Sequence, residues 1–422
     1  MSLLTSRLAP RIVEEDGAFR TRMLDIAAGL TDVIALGRGD PDFHTPAHIV
    51  EAAKAALDAN HHHYTGPTGI PALREAIADN LGARYGLDYG ADEIVVTAGA
   101  QEGIMLTMLG LCSPGDEVLI TSPRFTTYDT AVGLCGGTPI PVPTFERDDF
   151  ALDVAEIEKR ITPRTRMFVL VSPNNPTGAV TPPEAIQAIA ELAIEHDLII
   201  VADEIYGRMI YAPNEHLSIA TLPGLRERTV TLNGFSKTYS MTGWRVGYLA
   251  APEELVSMLT EPRHTLSINT CTISQHAALA ALTGPQEPVD AMIEEYAERR
   301  AWLMPALNEA GFSYGHPGGA FYIYTNISSS GLPSPLFCPR PLSAPDRVEV
   351  ISVPHIQPKR KFRLAPLHQP VELSVQVLVP LKPELLPYEG FGVVQEHTKE
   401  GDEWTIRELF TGRRLLHEVV EA

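Results

Sequence analysis

Apolar runs rich in β-branched residues alternate with helical patterns through the middle of the chain. Hydrophobicity within each run is continuous rather than alternating, so the strands are expected to be covered on both faces, as in a mostly parallel sheet. Pro183–His196 has the pattern of a crossover helix. Together these features predict an α/β fold. The predicted strands are Glu93–Thr97, Val118–Thr121, Arg166–Ser172, Leu198–Asp203, Thr229–Leu232 and Val246–Ala250.

Composition narrows the classes of function. The chain has 422 residues and 44% hydrophobic content, enough to bury a large core and to form two domains. A net charge of −20 argues against nucleic-acid or anionic-membrane partners. No apolar stretch approaches the roughly 18 residues of a membrane span, and the N-terminus lacks the pattern of a signal peptide. Four scattered cysteines predict reduced thiols in the cytoplasm. The triplet His61–His63 has no partner cluster, so no metal site is predicted.

Chemically useful residues follow five of the predicted strands. Ligands of open parallel sheets bind beyond the carboxyl ends of the strands, so these residues are expected to converge on one site. They are Gly99-Ala100-Gln101, Phe125, Asn175, Asp203 with Tyr206, and Lys237.

The small-residue turn Gly99-Ala100-Gln101 enters a helix, where free N–H groups and the helix dipole favour an anion such as phosphate. Arg245 could add fork-like phosphate binding. The alternative for the turn is an ordinary strand–helix connection, and the absence of GxGxxG weakens a dinucleotide interpretation.

The other strand-end residues each have a structural alternative. Asp203 could pair with a protonated ring nitrogen or simply cap a strand end. Tyr206 could contact the same ligand or pack, and Phe125 could stack on an aromatic ring or belong to the core. Asn175 lies in a turn but carries an amide that could orient an oxygen substituent.

Lys237 could be a surface charge, a phosphate contact or an amine nucleophile. A desolvated lysine, or one beside another cation, forms Schiff bases with aldehydes. A lysine, an acid, a stacking face and an anion site are together what pyridoxal phosphate requires.

Several motifs occur in the order found in one enzyme family. The chain resembles the class I, fold-type-I pyridoxal-phosphate aminotransferases of the aspartate/aromatic branch. The matching stretches are Gly37–Phe43, Tyr64–Gly69, Leu73–Ile77, Thr97–Glu102, Ser172–Gly178, Asp203–Tyr206, Ser236–Arg245 and Gly318–Tyr322.

The resemblance implies a role for each site residue. Lys237 would bond to the cofactor aldehyde and transfer the substrate α-proton, and Asp203 would pair with the pyridinium nitrogen. The remaining contacts would be Tyr206 and Asn175 at the ring hydroxyl, Phe125 on the ring, and Gly99, Ala100, Gln101, Ser236 and Arg245 at the phosphate. Tyr64 would reach the phosphate of a neighbouring subunit, which implies a homodimer with shared active sites. Gly39, Asn175 and Arg363 would contact the substrate.

The resemblance also implies the domain organisation. A large domain, 46–284, would be a three-layer sandwich binding the cofactor. Residues 1–45 and 285–422 would contribute a smaller α+β domain. Segment 333–387 is atypical because 12 of the chain's 35 prolines lie between Pro333 and Pro387, so this part is either diverged or comes from a disturbed reading frame. Arg363, the candidate for the substrate carboxylate, lies in this segment, and a solvated arginine is its alternative.

The expected function is amino-group transfer between an L-amino acid and a 2-oxo acid by a ping-pong mechanism in the cytoplasm. The alternatives are another pyridoxal-phosphate enzyme, such as a lyase or decarboxylase, and a catalytically impaired remnant with a damaged small domain.

Overall fold

The structure is a computed structural model that describes residues 39–326 continuously, residues 7 and 9, and four strands later in the chain. The described part divides into two compact units. The larger unit consists of Asp40–Glu295 and His316–Phe321, and the smaller one includes Tyr296–Gly315 and Tyr322–Asn326.

A seven-stranded sheet in the order β1-β7-β6-β5-β4-β2-β3 forms the centre of the larger unit. Strand β7 runs antiparallel to β1 and β6, and the other neighbouring pairs are parallel. All six predicted strands are confirmed, with ends that differ by one or two residues. The strands are β1 Ile94–Thr97, β2 Glu117–Ser122, β3 Thr138–Pro143, β4 Thr165–Val171, β5 Ile199–Asp203, β6 Thr229–Gly234 and β7 Gly247–Ala250.

Both faces of the six predicted strands are mostly buried, as the continuous hydrophobic runs predicted. Successive residues of β2 illustrate the alternation, since Val118 and Ile120 pack into one core cluster and Leu119 packs into another. The two clusters continue under the flanking helices, which gives a three-layer arrangement within this unit.

Strand β3 is the element that the hydrophobic pattern did not predict. Its sequence, TPIPVP, carries prolines at alternate positions, and proline removes a ladder donor, so it normally argues against a strand. This strand lies at the edge of the sheet and pairs only with β2, where donors on the outer side are not needed.

The helices begin and end where local chemistry favours it. Pro71 and Pro183 stand at the first helical positions of two of them, where the missing N–H is unused. Gly86, at φ +70, closes the first of these in the left-handed conformation. The helices are α1 Ala47–Asp58, α2 Pro71–Tyr85, α3 Ala100–Leu111, α4 Thr127–Leu134, α5 Val154–Glu158, α6 Pro183–Glu195, α7 Glu253–Ser267, α8 Thr272–Thr283 and α9 Glu287–Glu309.

The smaller unit contains two three-stranded sheets, ordered β10-β9-β8 and β11-β13-β12. Segment 333–387, which the sequence marks as atypical, lies outside the described residues except for β10 and β11. None of the described helices is both long and apolar enough to cross a membrane. The strands are β8 Ser313–Tyr314, β9 Tyr322–Asn326, β10 Val348–Ser352, β11 Lys361–Leu364, β12 Glu396–Glu400 and β13 Glu403–Arg407.

Candidate active site

Lys237 lies in the connection from β6 to β7 and is half-buried. Its Nζ atom lies 5.7 Å from the centroid of the Phe321 ring. Burial, reinforced by the positive charge of Arg245, lowers the pKa of Lys237 from 10.5 to about 8, while Asp40 acts in the opposite direction. A much larger fraction of this amine is therefore neutral near physiological pH than of an ordinary lysine, which makes it a better nucleophile.

The close pairing of β6 with β7 determines where this lysine lies. At the end of β6, a Cβ on Gly234 would lie 3.0 Å from the Cα of Gly247, so only a small residue fits. The chain then turns, and the Met241 N–H donates to the Ser236 carbonyl at 3.1 Å. The turn buries Ser236 and holds Lys237 next to it, at the carboxyl end of β6.

Asp203 ends β5 with a buried carboxylate whose two oxygens both accept hydrogen bonds. The Tyr128 hydroxyl donates to Oδ2 at 2.7 Å, and the Ile205 N–H donates to Oδ1 at 3.2 Å. Burial raises the pKa of Asp203, and these two hydrogen bonds partly counteract the rise. A cation placed against this carboxylate would stabilise its charged form.

Helix α3 starts at the turn for which the sequence predicts anion binding. Gly99 precedes it at φ +79, and a Cβ there would lie 2.5 Å from Nη2 of Arg245. The guanidinium group is fixed by bonds from Nη1 to the Thr242 carbonyl at 3.0 Å and from Nη2 to the Ala98 carbonyl at 3.2 Å. First-turn N–H groups of Ala100 and its neighbour have no intrahelical acceptor, so donors and a positive charge meet at one point.

Gln101 is tied to the next helix as well. Its Nε2 donates to Thr127 Oγ1 at 3.2 Å, which connects the start of α3 to the start of α4. The same region carries Phe125, which packs partly buried against the core cluster on this face of the sheet. Phe125 is therefore part of the core, which is one of its two predicted roles. Because part of its ring stays exposed, stacking on a ligand ring remains a prediction.

Two aromatic rings lie close to the lysine. Tyr206 is buried and meets Phe321 edge to face, with 5.7 Å between ring centroids. Since the amine of Lys237 lies over the same Phe321 ring, these three side chains form one cluster.

The adjacent asparagines differ in what they contact. The Nδ2 of the buried Asn174 donates to Thr121 Oγ1 at 3.3 Å, and its Oδ1 accepts from Thr177 Oγ1 at 3.0 Å. Asn174 therefore holds the turn together. Asn175 is only partly buried, and its ligand-facing role stays a prediction.

Together, these groups fit pyridoxal phosphate. Lys237 offers an amine for an aldehyde, the fixed carboxylate of Asp203 suits a ring N–H, and a side chain at Gly99 would occupy the place next to Arg245 where an anion would lie. Among the described residues, no group of three or more His, Cys, Asp or Glu side chains could hold a metal ion. His61 of the histidine triplet stacks on His276, with ring centroids 4.3 Å apart.

Sequence comparison identifies the family. The profile of "Aminotransferase class I and II" matches residues 31–350. The chain belongs to this family. It is therefore an aminotransferase that depends on pyridoxal phosphate and moves an amino group between an amino acid and a 2-oxo acid.

Named relatives support the same conclusion. The aminotransferase is 43% identical over 319 residues to an aspartate aminotransferase of Pyrococcus abyssi, covering 75% of this chain and 82% of the relative. It is also 43% identical over 321 residues to aromatic-amino-acid aminotransferase 2 of Thermococcus litoralis, with the same coverage. The crystal structure of the aromatic aminotransferase of Pyrococcus horikoshii superposes with a TM-score of 0.73 at 40% identity, covering 79% of this chain and 94% of that one.

Three predicted site residues of the aminotransferase come from segments of the chain other than the strand ends described above. Tyr64 is 79% exposed in the larger unit. Gly39 belongs to the smaller unit, where an added Cβ would lie 2.5 Å from the Tyr322 hydroxyl. Arg363 lies in β11, opposite Thr405 of β13, and beyond the residues that the family profile matches. The roles of all three stay predictions.

Three neighbours of the site were missed as site residues. Tyr128 lies in the first turn of α4 and Phe125 just precedes that helix, so their spacing of about one helical turn was the available signal. Phe321 was recognised only as part of a family motif. Asp40 directly follows Gly39 in another such motif, and it accepts a hydrogen bond from Thr242 Oγ1 at 2.6 Å.

Proposed function

We propose that this aminotransferase uses Lys237 as its catalytic base and acts on L-amino acids with acidic or aromatic side chains, with a 2-oxo acid as acceptor. The observation that carries the proposal is the desolvated amine with a pKa of about 8, beside Phe321 and Tyr206. The side-chain preference rests on relatives named for aspartate and for aromatic amino acids.

When bound, the cofactor supplies an aldehyde carbon and an electron-withdrawing ring. Lys237 Nζ would remove the α-proton of the substrate and deliver it to the cofactor carbon that carried the aldehyde, which a pKa near neutrality favours. Asp203 accepts a hydrogen bond from the ring N–H and is itself fixed by Tyr128. The amide of Asn175 and the phenol of Tyr206 orient the ring hydroxyl.

Phosphate binding falls to the start of α3. Ala100 and Gln101 donate backbone N–H groups, Arg245 adds its charge, and Ser236 adds a hydroxyl. The family match favours this reaction over the lyase and decarboxylase alternatives. The cytoplasmic location stays a prediction.

We further propose a homodimer in which Tyr64 reaches the phosphate bound by the other subunit. Its 79% exposure in a single chain supports this, because a tyrosine with such a role projects away from its own fold. Gly39 and Arg363 are retained as proposed contacts of the substrate carboxylate.

The test is a donor screen with 2-oxoglutarate as acceptor and Lys237→Ala as the inactive variant. Wild type is expected to develop a visible absorbance with the cofactor, lose it on addition of a donor and release a 2-oxo acid. Lys237→Ala should do none of these. Lys54→Ala is the matched control, because Lys54 is an exposed lysine paired with Glu51. If Lys237→Ala turned over donors at the wild-type rate, the proposal would be wrong.

A further inference from the structure

Arg263 is fully buried on α7, which is unusual for a guanidinium group. It is held by several acceptors at once. Nη1 donates to the Ile268 carbonyl at 2.8 Å, and Nη2 donates to the Val96 carbonyl at 3.0 Å and to Thr270 Oγ1 at 2.7 Å. Burial lowers the pKa of Arg263, and the charge of Glu102 opposes this change.

The segment that Arg263 binds has a strained backbone. Ile268 has φ 61 and ψ −68, a conformation that β-branched residues rarely adopt. The Asn269 N–H donates to the Ser267 carbonyl at 2.7 Å, which makes this a tight three-residue turn. Such strain persists only where the surroundings over-determine it, and the bond from Arg263 to the Ile268 carbonyl is one of those restraints.

Glu102 connects Arg263 to the start of α3. Its Oε2 lies 3.5 Å from Arg263 Nη2 and accepts from the Ala98 N–H at 2.5 Å. The carbonyl of the same Ala98 accepts from Arg245 Nη2 at 3.2 Å. The peptide groups next to the proposed phosphate position are thus held by Glu102 on one side and by Arg245 on the other.

This arrangement creates a conflict of charge. A carboxylate in the first turn of a helix interacts with the same positive helix end that a phosphate would use. The Glu102 side chain is only 12% exposed, so water screens its charge poorly. Arg263 is the cation placed against it from the protein interior.

We propose that Arg263 is a positioning residue for cofactor phosphate: it neutralises Glu102 and fixes the Ala98–Gln101 turn so that the turn can accept a dianion. This inference rests on the proposed phosphate site at the start of α3. It concerns binding of the phosphate group alone, so its effect is predicted to be absent for a ligand that lacks phosphate.

The experiment compares dissociation constants of pyridoxal phosphate and of phosphate-free pyridoxal for the apoprotein, followed by absorbance and intrinsic fluorescence. Arg263→Met is expected to weaken pyridoxal phosphate binding about tenfold while pyridoxal binding changes little. The double variant Arg263→Met with Glu102→Gln removes both charges and is expected to recover most of the preference for the phosphorylated ligand.

Arg263→Lys keeps the charge but not the fork of hydrogen bonds, so it should retain the preference even if it unfolds at a lower temperature. This variant keeps the inference testable should Arg263→Met fail to fold. Arg74→Met is the matched control, since the Arg74 side chain is 14% exposed and is paired with Asp92. It should leave the ratio of the two constants unchanged.

The possible results distinguish a failure of this inference from a failure of the proposed phosphate site. If wild type does not prefer the phosphorylated ligand, the phosphate placement is wrong and the inference fails with it. If wild type shows the preference but Arg263→Met weakens both ligands equally, or the double variant recovers nothing, Arg263 has a structural role only and this inference alone is overturned.

Discussion

The hydroxyl of Tyr128 donates a 2.7 Å hydrogen bond to Oδ2 of Asp203, and both side chains are buried. Burial and the neighbouring carboxylate raise the pKa of Tyr128 well above its ordinary value, so the phenol remains a donor across the working pH range. The carboxylate therefore has a fixed orientation before any cation reaches it, a form of pre-organisation that strengthens electrostatic contacts.

Tyr128→Phe is expected to remove this donor and raise the pKa of Asp203 further. A hydrogen bond to a charged group contributes about 1.5–3 kcal/mol, so we expect turnover to fall about tenfold or more. The low-pH limb of the activity profile should also move to higher pH. The measurement is the pH dependence of kcat/KM. Tyr314→Phe, which removes a half-buried hydroxyl bonded to the Met304 carbonyl, should leave the profile unchanged.

Lys237 is predicted to destabilise the apoprotein at neutral pH. Its folded-state pKa of about 8 lies below its ordinary value of 10.5, so the unfolded chain binds more protons between these values and stability rises with pH in that window. The penalty is present in full below pH 8 and is relieved toward pH 10.5. It amounts to up to about 3 kcal/mol.

Replacement by Met should therefore stabilise the apoprotein at pH 7, and the difference from wild type should shrink as pH rises to 10. Urea unfolding at several pH values measures this. A constant difference across the window would contradict the lowered pKa of Lys237, because a lost packing contact has no such pH dependence.

Gly99 is predicted to be intolerant of any side chain because of Arg245. Alanine at this position is strained at φ +79 and also places a Cβ 2.5 Å from the guanidinium group. Gly115 offers a matched control, since it has φ +94 but a Cβ added there would have nothing within 4 Å. Both Ala variants should lose about 1–2 kcal/mol of stability. Only Gly99→Ala should also bind pyridoxal phosphate more weakly, and equal affinity in the two would argue against the phosphate site.

Substitutions of the neighbouring residues Asn174 and Asn175 are expected to affect stability and function separately. Asn174→Ala should lower the free energy of unfolding by about 1–3 kcal/mol, because it leaves buried partners such as Thr121 and Thr177 unsatisfied. Asn175→Ala should leave unfolding nearly unchanged and shift the cofactor absorbance and turnover. Thermal unfolding and absorbance spectra of the two variants test this, and an exchange of the two phenotypes would assign the ligand contact to Asn174.

The sequence allowed the sheet to be predicted well, because strands buried on both faces leave uninterrupted apolar runs. It failed at β3, where edge position overrides the cost of proline. Most residues that are proposed to touch the cofactor were predicted from where strands end, and Tyr64, Gly39 and Arg363 only from the family resemblance. Tyr128 and Arg263 act through other side chains. The roles of both depend on partners that are distant in sequence, Asp203 and Glu102, so the spacing of Tyr128 from Phe125 gave only a weak local signal and Arg263 had none.

Tyr64 provides the test of shared active sites. Tyr64→Ala should bind the cofactor too weakly to be active at a cofactor concentration that just saturates wild type, and Lys237→Ala should be inactive. In an isologous dimer, a hybrid of the two variants contains one site with both defects and one with neither. Mixing, unfolding and refolding the two inactive proteins together should therefore restore about a quarter of wild-type activity, since about half of randomly formed dimers are hybrids with one intact site each. Refolding either variant alone is the control. If the mixture stays inactive while size-exclusion chromatography shows hybrids, Tyr64 acts on the site of its own subunit.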